Sequence, residues 1–301
     1  MSIRKDGSDD YIARITKFAI RHLEHLQPWP YQFRRRALEV RSLSRLHNLS
    51  AAGRVLEIGC GNAFGSALLS QGRKQVVATD LAMEDLRTHT IGLQKARSLL
   101  DQLDLGWCEV IAASAGSLPF DGRSFDMVFS LFVLEHVLDR DTCLKETYRL
   151  LDDDGLVVTA VPGSMWTITA IPRFYLYLVQ RLLARAVSSS RDGTSLGFWR
   201  LFRTRYPHFP FPNPHGAYRN YFQELTRQSR GYWVDLFQRN RFDVLECRPI
   251  MVLPLCMLQM LLGELGLDLY ERLFKFDQWL ADRRFLRSYG QFFGIVARKR
   301  R

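Results

Sequence analysis

The chain has 301 residues, of which 47% are hydrophobic and 24% charged, a composition that excludes disorder, collagen or coiled coil as a description of the whole and leaves one elaborated domain or two small ones. The formal net charge is +11 and is unevenly placed: residues 1–50 hold 10 basic and 5 acidic side chains, 51–162 hold 10 and 16, and 163–301 hold 22 and 10. Basic flanks around an acidic middle point to an anionic partner: a membrane surface, a nucleic acid or a phosphorylated substrate.

Residues 11–26 place Ile12, Ile15, Ala19, Leu23 and Leu26 three or four apart, which predicts an amphipathic helix ended by Pro28 and Pro30. A second, basic helix is predicted from about Tyr31 to His47, and a linker over Leu49 to Gly53. From there the pattern alternates. Strands are predicted at 55–58, 76–80, 109–113, 125–130 and 156–161, with helices from Phe64, over 84–103 and over 140–151. Strands alternating with helices indicate a parallel sheet covered on both faces. Residues 163–230 break the rhythm with aromatics, Arg and Pro, and read as an insertion that forms an acceptor lid. A helix from Tyr232 to Arg239 and a strand from Phe242 to Cys247 resume the core. A second, apolar helical insertion is predicted at about 249–290, then a last strand from Phe292 to Ala297 and a solvated tail, Arg298 to Arg301. The division is therefore an N-terminal helical cap (1–50), a core (51–162), the first insertion (163–230), and a completion of the core (231–301).

The sharpest chemical signal is Val55-Leu56-Glu57-Ile58-Gly59-Cys60-Gly61-Asn62-Ala63-Phe64-Gly65. Gly59 and Gly61 permit a tight turn off a strand and close approach of a ligand. The amides of that turn and of the helix start can meet a carboxylate or phosphate. Glu57 ends the first strand just before the glycines, and Asp80 ends the second, 19 residues after Gly61, where an acid can bind ribose hydroxyls. Cys60 is read as offering its backbone rather than its thiol. A plain turn at Gly59 and Gly61, a helix cap at Asp80, and a packed imidazole at His136 are the structural alternatives. A G-x-G-x-x-G nicotinamide site is disfavoured, because Phe64 stands at the third glycine position.

This segment resembles motif I of the class I S-adenosylmethionine (SAM)-dependent methyltransferases, and residues 53–162 resemble that family's type 11 branch throughout. Ala113 to Phe120 with Ser124 to Val128, Leu131 to Val137, and Tyr148 to Pro162 match successive family segments in order. The resemblance implies a Rossmann-like, doubly wound, mostly parallel α/β sheet of seven strands, with SAM as cofactor. It implies Glu57 near the methionine amino group and Asp80 on the ribose, and Gly59, Cys60, Gly61, Leu81, Ser114, Ala115 and Ser130 among the cofactor-binding residues. Ala63 replaces a frequent third glycine, which is tolerable if that position needs no positive φ. Ser114 replaces a frequent Asp, and Asp152 to Gly155 replaces a Pro-Gly type of turn.

The implied reaction is in-line methyl transfer, in which the protein aligns the acceptor and excludes water. Transfer to O or C is the expectation; if the acceptor is a hydroxyl, a general base helps, and His136 and His215 are the candidates. No metal is expected, since the five cysteines lack CxxC spacing and make neither a zinc site nor a disulfide framework. Acceptor choice falls to the N-terminal helices and the insertions. Ile171 to Arg185 and Pro249 to Leu269 combine apolar surface with arginines, and Phe274 to Tyr289 adds aromatics. That suits either a lid over the sheet or the interface of an anionic membrane, and hence a small or lipid-linked acceptor. A nucleic-acid methyltransferase, suggested by charge, is opposed by Ser130-Leu131-Phe132-Val133 standing where the amino-methylating tetrad would lie. A non-catalytic scaffold of the same fold is the other alternative. The polar start and the lack of a long apolar run predict no leader or spanning helix, hence a cytoplasmic chain that can sit at the inner face of a membrane.

Overall fold

A computed structural model describes residues 6–26, 31–72, 74–81, 93–188 and 207–300. Helices α1 (Asp6–His22) and α2 (Gln32–Ser44) precede the sheet. Then come β1 (Arg54–Ile58), α3 (Phe64–Leu69), β2 (Gln75–Asp80), α4 (Leu93–Gln102), β3 (Cys108–Ala112), β4 (Phe125–Leu131), α5 (Arg140–Leu150) and β5 (Leu151–Pro162). The chain continues through α6 (Ser164–Ser188), α7 (Tyr221–Arg227), α8 (Arg230–Arg239), β6 (Phe242–Met251), α9 (Leu255–Leu262), α10 (Glu264–Ala281) and β7 (Phe292–Lys299).

The seven strands form one sheet in the order β3-β2-β1-β4-β5-β7-β6. The β1–β2, β1–β4, β2–β3 and β4–β5 pairs are parallel, and β7 runs antiparallel between β5 and β6. The strand order reverses between β1 and β4, so their carboxyl ends open a crevice at the switch point. Side chains alternate between two cores. Met127, Phe129, Val158 and Ala160 face the layer of α1 to α4 and α10, while Val128, Val157 and Ile295 face α5 and α8 with Trp233 and Phe237. Burial on both faces is why the central strands read as continuous apolar runs.

The expected fold is the observed one, with local corrections. The 11–26 helix starts at Asp6 and ends at His22, and a short turn of 3₁₀ helix follows at Glu24–Leu26. Pro28, Pro30 and the start of the helix expected over 84–103 lie outside the described residues, as does 189–206 of the first insertion. Strand β6 runs on to Met251, because Ile250 and Met251 bury against the sheet instead of opening the second insertion. A short apolar run fits a strand end as well as a helix start, so hydrophobicity alone misplaces this boundary. Asp152 to Gly155 lies within β5, where the pairing with β4 shifts register. The tail is corrected too. Arg298 and Lys299 belong to β7, and buried Lys299 donates from Nζ to the Leu151 carbonyl at 2.8 Å. Cys60, Cys108, Cys143 and Cys247 are buried free thiols.

Candidate active site

A cavity of about 320 Å³ opens over the carboxyl ends of β1 and β4. Its floor is the turn after β1. Gly59, Gly61 and Ala63 all take left-handed backbone, with φ of 70°, 56° and 59°. The condition set on Ala63 therefore fails. Position 63 does need positive φ, and a Cβ there costs about 1 kcal/mol. At Gly59 a Cβ would also lie 2.3 Å from Val133 Cγ2, so glycine is required twice over.

Five amides of the turn already have partners within the chain. Gly59 and Cys60 N–H donate to the Thr79 carbonyl (2.8 and 2.9 Å), and Gly61 N–H donates to Asp80 Oδ2 at 2.7 Å. Ala63 N–H donates to the Cys60 carbonyl, and Phe64 N–H to Asn62 Oδ1. The reason is that the turn leaves a parallel strand edge, where β2 supplies acceptors at the same height. The turn is thus braced from within.

Two carboxylates dominate that end. Glu57 is 2% exposed and takes a short hydrogen bond from Ser66 Oγ. Burial raises its carboxyl from the ordinary 4.5 to about 7. Gly65 makes room for it, since a Cβ there would sit 2.2 Å from Glu57 Oε1. Asp80 accepts from the amides of Gly61 and Leu81, both at 2.7 Å, and burial raises its carboxyl as well. Each oxygen keeps further lone-pair capacity for a ligand hydroxyl. The Cys60 thiol is buried and pushed well up by burial, so it stays a neutral packing group.

Of the predicted residues, Glu57, Gly59, Cys60, Gly61, Asp80, His136 and His215 line this one cavity. Leu81, Ser114, Ala115 and Ser130 do not. Leu81 is 45% exposed beside Asp80. Ser114 is exposed and its carbonyl accepts from Ser117 N–H, while Ala115 packs on the α5 and α8 side of the core. Ser130 is buried in the sheet, paired with Thr159 Oγ1 at 2.8 Å.

Several lining residues carried no separate signal in the sequence. Helix α2 contributes Gln32, Arg35, Arg36 and Glu39. Arg36 donates to buried Glu39 at 2.9 Å and lies over the Phe132 ring. The run Arg34-Arg35-Arg36 reads as a solvated basic face, and only α2's docking against α3 and β5 turns part of it inward. Phe132, at φ 58°, is a bulky residue in a sparsely allowed conformation at the end of β4. With Phe292 (4.6 Å), and Trp166 packed on Phe292 (5.2 Å), it makes an aromatic wall.

The other end of the cavity holds the histidines. His136 and His215 are 79 positions apart, yet their rings meet edge-on at 4.9 Å. Glu135 lies beside them, 1% exposed, with burial raising its carboxyl to about 8. The insertion loop reaches this point because Gly216, at φ 107°, lets the backbone touch: a Cβ there would be 2.5 Å from the Glu135 carbonyl. Ala217 N–H donates to that carbonyl at 2.7 Å, and buried Arg140 donates to it and to the Leu134 carbonyl.

The family model described as a methyltransferase domain matches residues 56–159, the stretch that carries the turn, both carboxylates and His136. Over that stretch the chain is similar to the class I SAM-dependent methyltransferases. A demethylmenaquinone methyltransferase of Staphylococcus epidermidis is 32% identical to this chain over 151 residues, covering 48% of this chain and 58% of the relative. A ubiquinone biosynthesis O-methyltransferase of Bradyrhizobium diazoefficiens is 29% identical over 147 residues, covering 48% and 53%. The chain thus spans little more than half the length of these relatives. Among solved structures, the [4+2]-cyclase SpnF superposes with a TM-score of 0.52 at 12% identity, over 91% of this chain and 83% of that one, which shows the shared fold. SAM is the cofactor of the family, and the residues present suit it. Glu57 offers a carboxylate for an ammonium, Asp80 one for a ribose diol, and Arg35 and Arg36 are cations able to face a carboxylate.

Proposed function

We propose that this methyltransferase transfers a methyl group from SAM to a small or lipophilic acceptor that enters beside Trp166, His136 and His215. The observation that supports it most is that both carboxylates and both histidines open into one cavity. When bound, SAM supplies a methyl made electrophilic by its sulfonium. Glu57 and Asp80 hold the donor's ammonium and ribose, and Arg36 or Arg35 its carboxylate. The aromatic wall of Phe132, Phe292 and Trp166 excludes water, which strengthens those charge contacts. His136 or His215 accepts the proton of a hydroxyl acceptor.

The lipophilic reading extends to the surface. Leu265, Leu269, Phe276 and Trp279 form one exposed stripe along α10, 38% to 64% exposed, with exposed Arg272 on the same stripe. Phe285 (73%) and Tyr289 (58%) continue it among exposed Arg284 and Arg287, and Arg283 stacks on Trp279 at 3.8 Å. Among the described residues no helix is long and apolar enough to cross a membrane. Apolar side chains flanked by arginines suit resting on an anionic bilayer. The acceptor would then be drawn from the inner face of a membrane.

Incubation with isotope-labelled SAM and fractionated cell extract, followed by mass spectrometry of the lipid and aqueous phases, tests both levels. Label in a lipid-phase product is expected. Label confined to the aqueous phase overturns the lipophilic acceptor, and no label with measurable SAM binding favours a scaffold.

A further inference from the structure

The acceptor end of the cavity contains a group that methyl transfer does not explain. Both carboxylate oxygens of Glu135 are fully buried, and no other residue hydrogen-bonds them; only its own amide faces the carboxyl. Two cations act on it through charge alone. Arg140 donates to the Leu134 and Glu135 carbonyls, and Arg36 donates to Glu39. A buried carboxyl with no partner from another residue is costly, and native proteins resolve such a cost with an ion or ordered water.

Glu135 does not stand alone. One ligand atom each from Glu135, His136 and His215 lies within 4.8 Å of the others. The arrangement is braced by backbone contacts rather than by chance rotamers. The turn holding Glu135 and His136 is closed by His136 N–H to the Val133 carbonyl at 2.8 Å. The loop holding His215 is pinned by Ala217 N–H to the Glu135 carbonyl, and by His215 N–H to Glu224 Oε2 at 3.1 Å.

From this geometry we infer that Glu135, His136 and His215 bind a divalent first-row transition-metal ion of the zinc class at the acceptor end of the cavity. Two imidazoles and one carboxylate are a donor set that such ions take, and three protein ligands leave positions open. All three residues line the cavity, so the open positions face it. An acceptor bearing paired oxygens, such as an ortho-diol or a hydroxy-ketone, would complete the coordination. That role rests on the proposed reading of the cavity as the acceptor site; the binding of the ion does not.

The purified protein, stripped with chelator, is titrated with Zn²⁺ and with Co²⁺ and its metal content measured after removal of excess. About one equivalent per chain is expected, with visible Co²⁺ bands typical of imidazole ligation. Glu135→Gln and His215→Ala should each weaken binding at least about tenfold, while His208→Ala, outside the cluster, should load like the parent. Thermal melts of the variants are run alongside. If one variant does not fold, the parent's Co²⁺ spectrum and the other variant decide. Less than a tenth of an equivalent in the parent, or unchanged loading of both variants, overturns the assignment. SAM binding to the stripped parent is measured separately. SAM bound without metal uptake removes the ion and leaves the proposed function standing, whereas metal uptake without SAM binding does the reverse.

Discussion

The two ends of the cavity are built in opposite ways. The end proposed for the donor comes from two adjacent strand–turn units, spans residues 57 to 80, and pairs five of its turn amides within the chain. The other end is assembled from the turn after β4, the start of α6, the loop before α7 and β7, which are scattered from Phe132 to Phe292. It carries the carboxylate of Glu135, which no other residue hydrogen-bonds. A preorganised, local end suits a cofactor shared by a whole family. An end made of insertions can be rebuilt for each substrate, which is where specificity belongs on a common fold.

The sharpest way to break this contrast is at Asp80. Asp80→Ala removes the clamp on Gly61 and, on the proposed reading, a ribose ligand together, so SAM affinity should fall roughly a hundredfold, from two charge-assisted hydrogen bonds. Calorimetry reads it, and unchanged affinity would remove Asp80 from the donor site. Gly59→Ala should destabilise the fold by about 2–4 kcal/mol, because left-handed backbone and the Val133 collision add; denaturant midpoints check it.

Glu57 separates stability from binding. Its folded carboxyl titrates near 7 rather than 4.5, so the folded state holds the proton more tightly than the unfolded one. The favourable contribution is complete below the unfolded value and is lost as pH rises through about 7. Glu57→Gln should therefore stabilise the ligand-free protein at pH 8 by about 1–3 kcal/mol while weakening SAM binding. In the parent, SAM affinity should decline as pH falls below about 7, where Glu57 loses its charge. A melt at pH 8 and calorimetry at two pH values test the pair. Ala63→Gly should do least. Relief of left-handed strain offsets the entropy of glycine, leaving a gain of less than about 1 kcal/mol.

The same contrast explains what could be read from the chain. Glu57, the glycines and Asp80 were legible because strand ends and turns are short-range patterns. The strands were legible because burial on both faces writes unbroken apolar runs. Arg36 and Trp166 were not, since a basic helix and an aromatic loop look alike whether they face water or a crevice. Ser130 shows the reverse error. It stands at the carboxyl end of β4 as expected, but its hydroxyl is held by Thr159, its partner on β5, instead of opening into the cavity. The meeting of His136 with His215 needed the loop closure at Gly216, which no local spacing encodes.

Helix α2 lines the cavity with Arg35 and Arg36 and is tied on its other side to α10. Arg34 meets Asp268 and Glu271, and Arg45 meets Gln278 and Asp282. The outer stripe of α10 and the inner wall of the crevice are therefore joined through these side-chain pairs. Under the proposed membrane reading, a tilt of α10 on the bilayer would reach Arg35 and Arg36 through them.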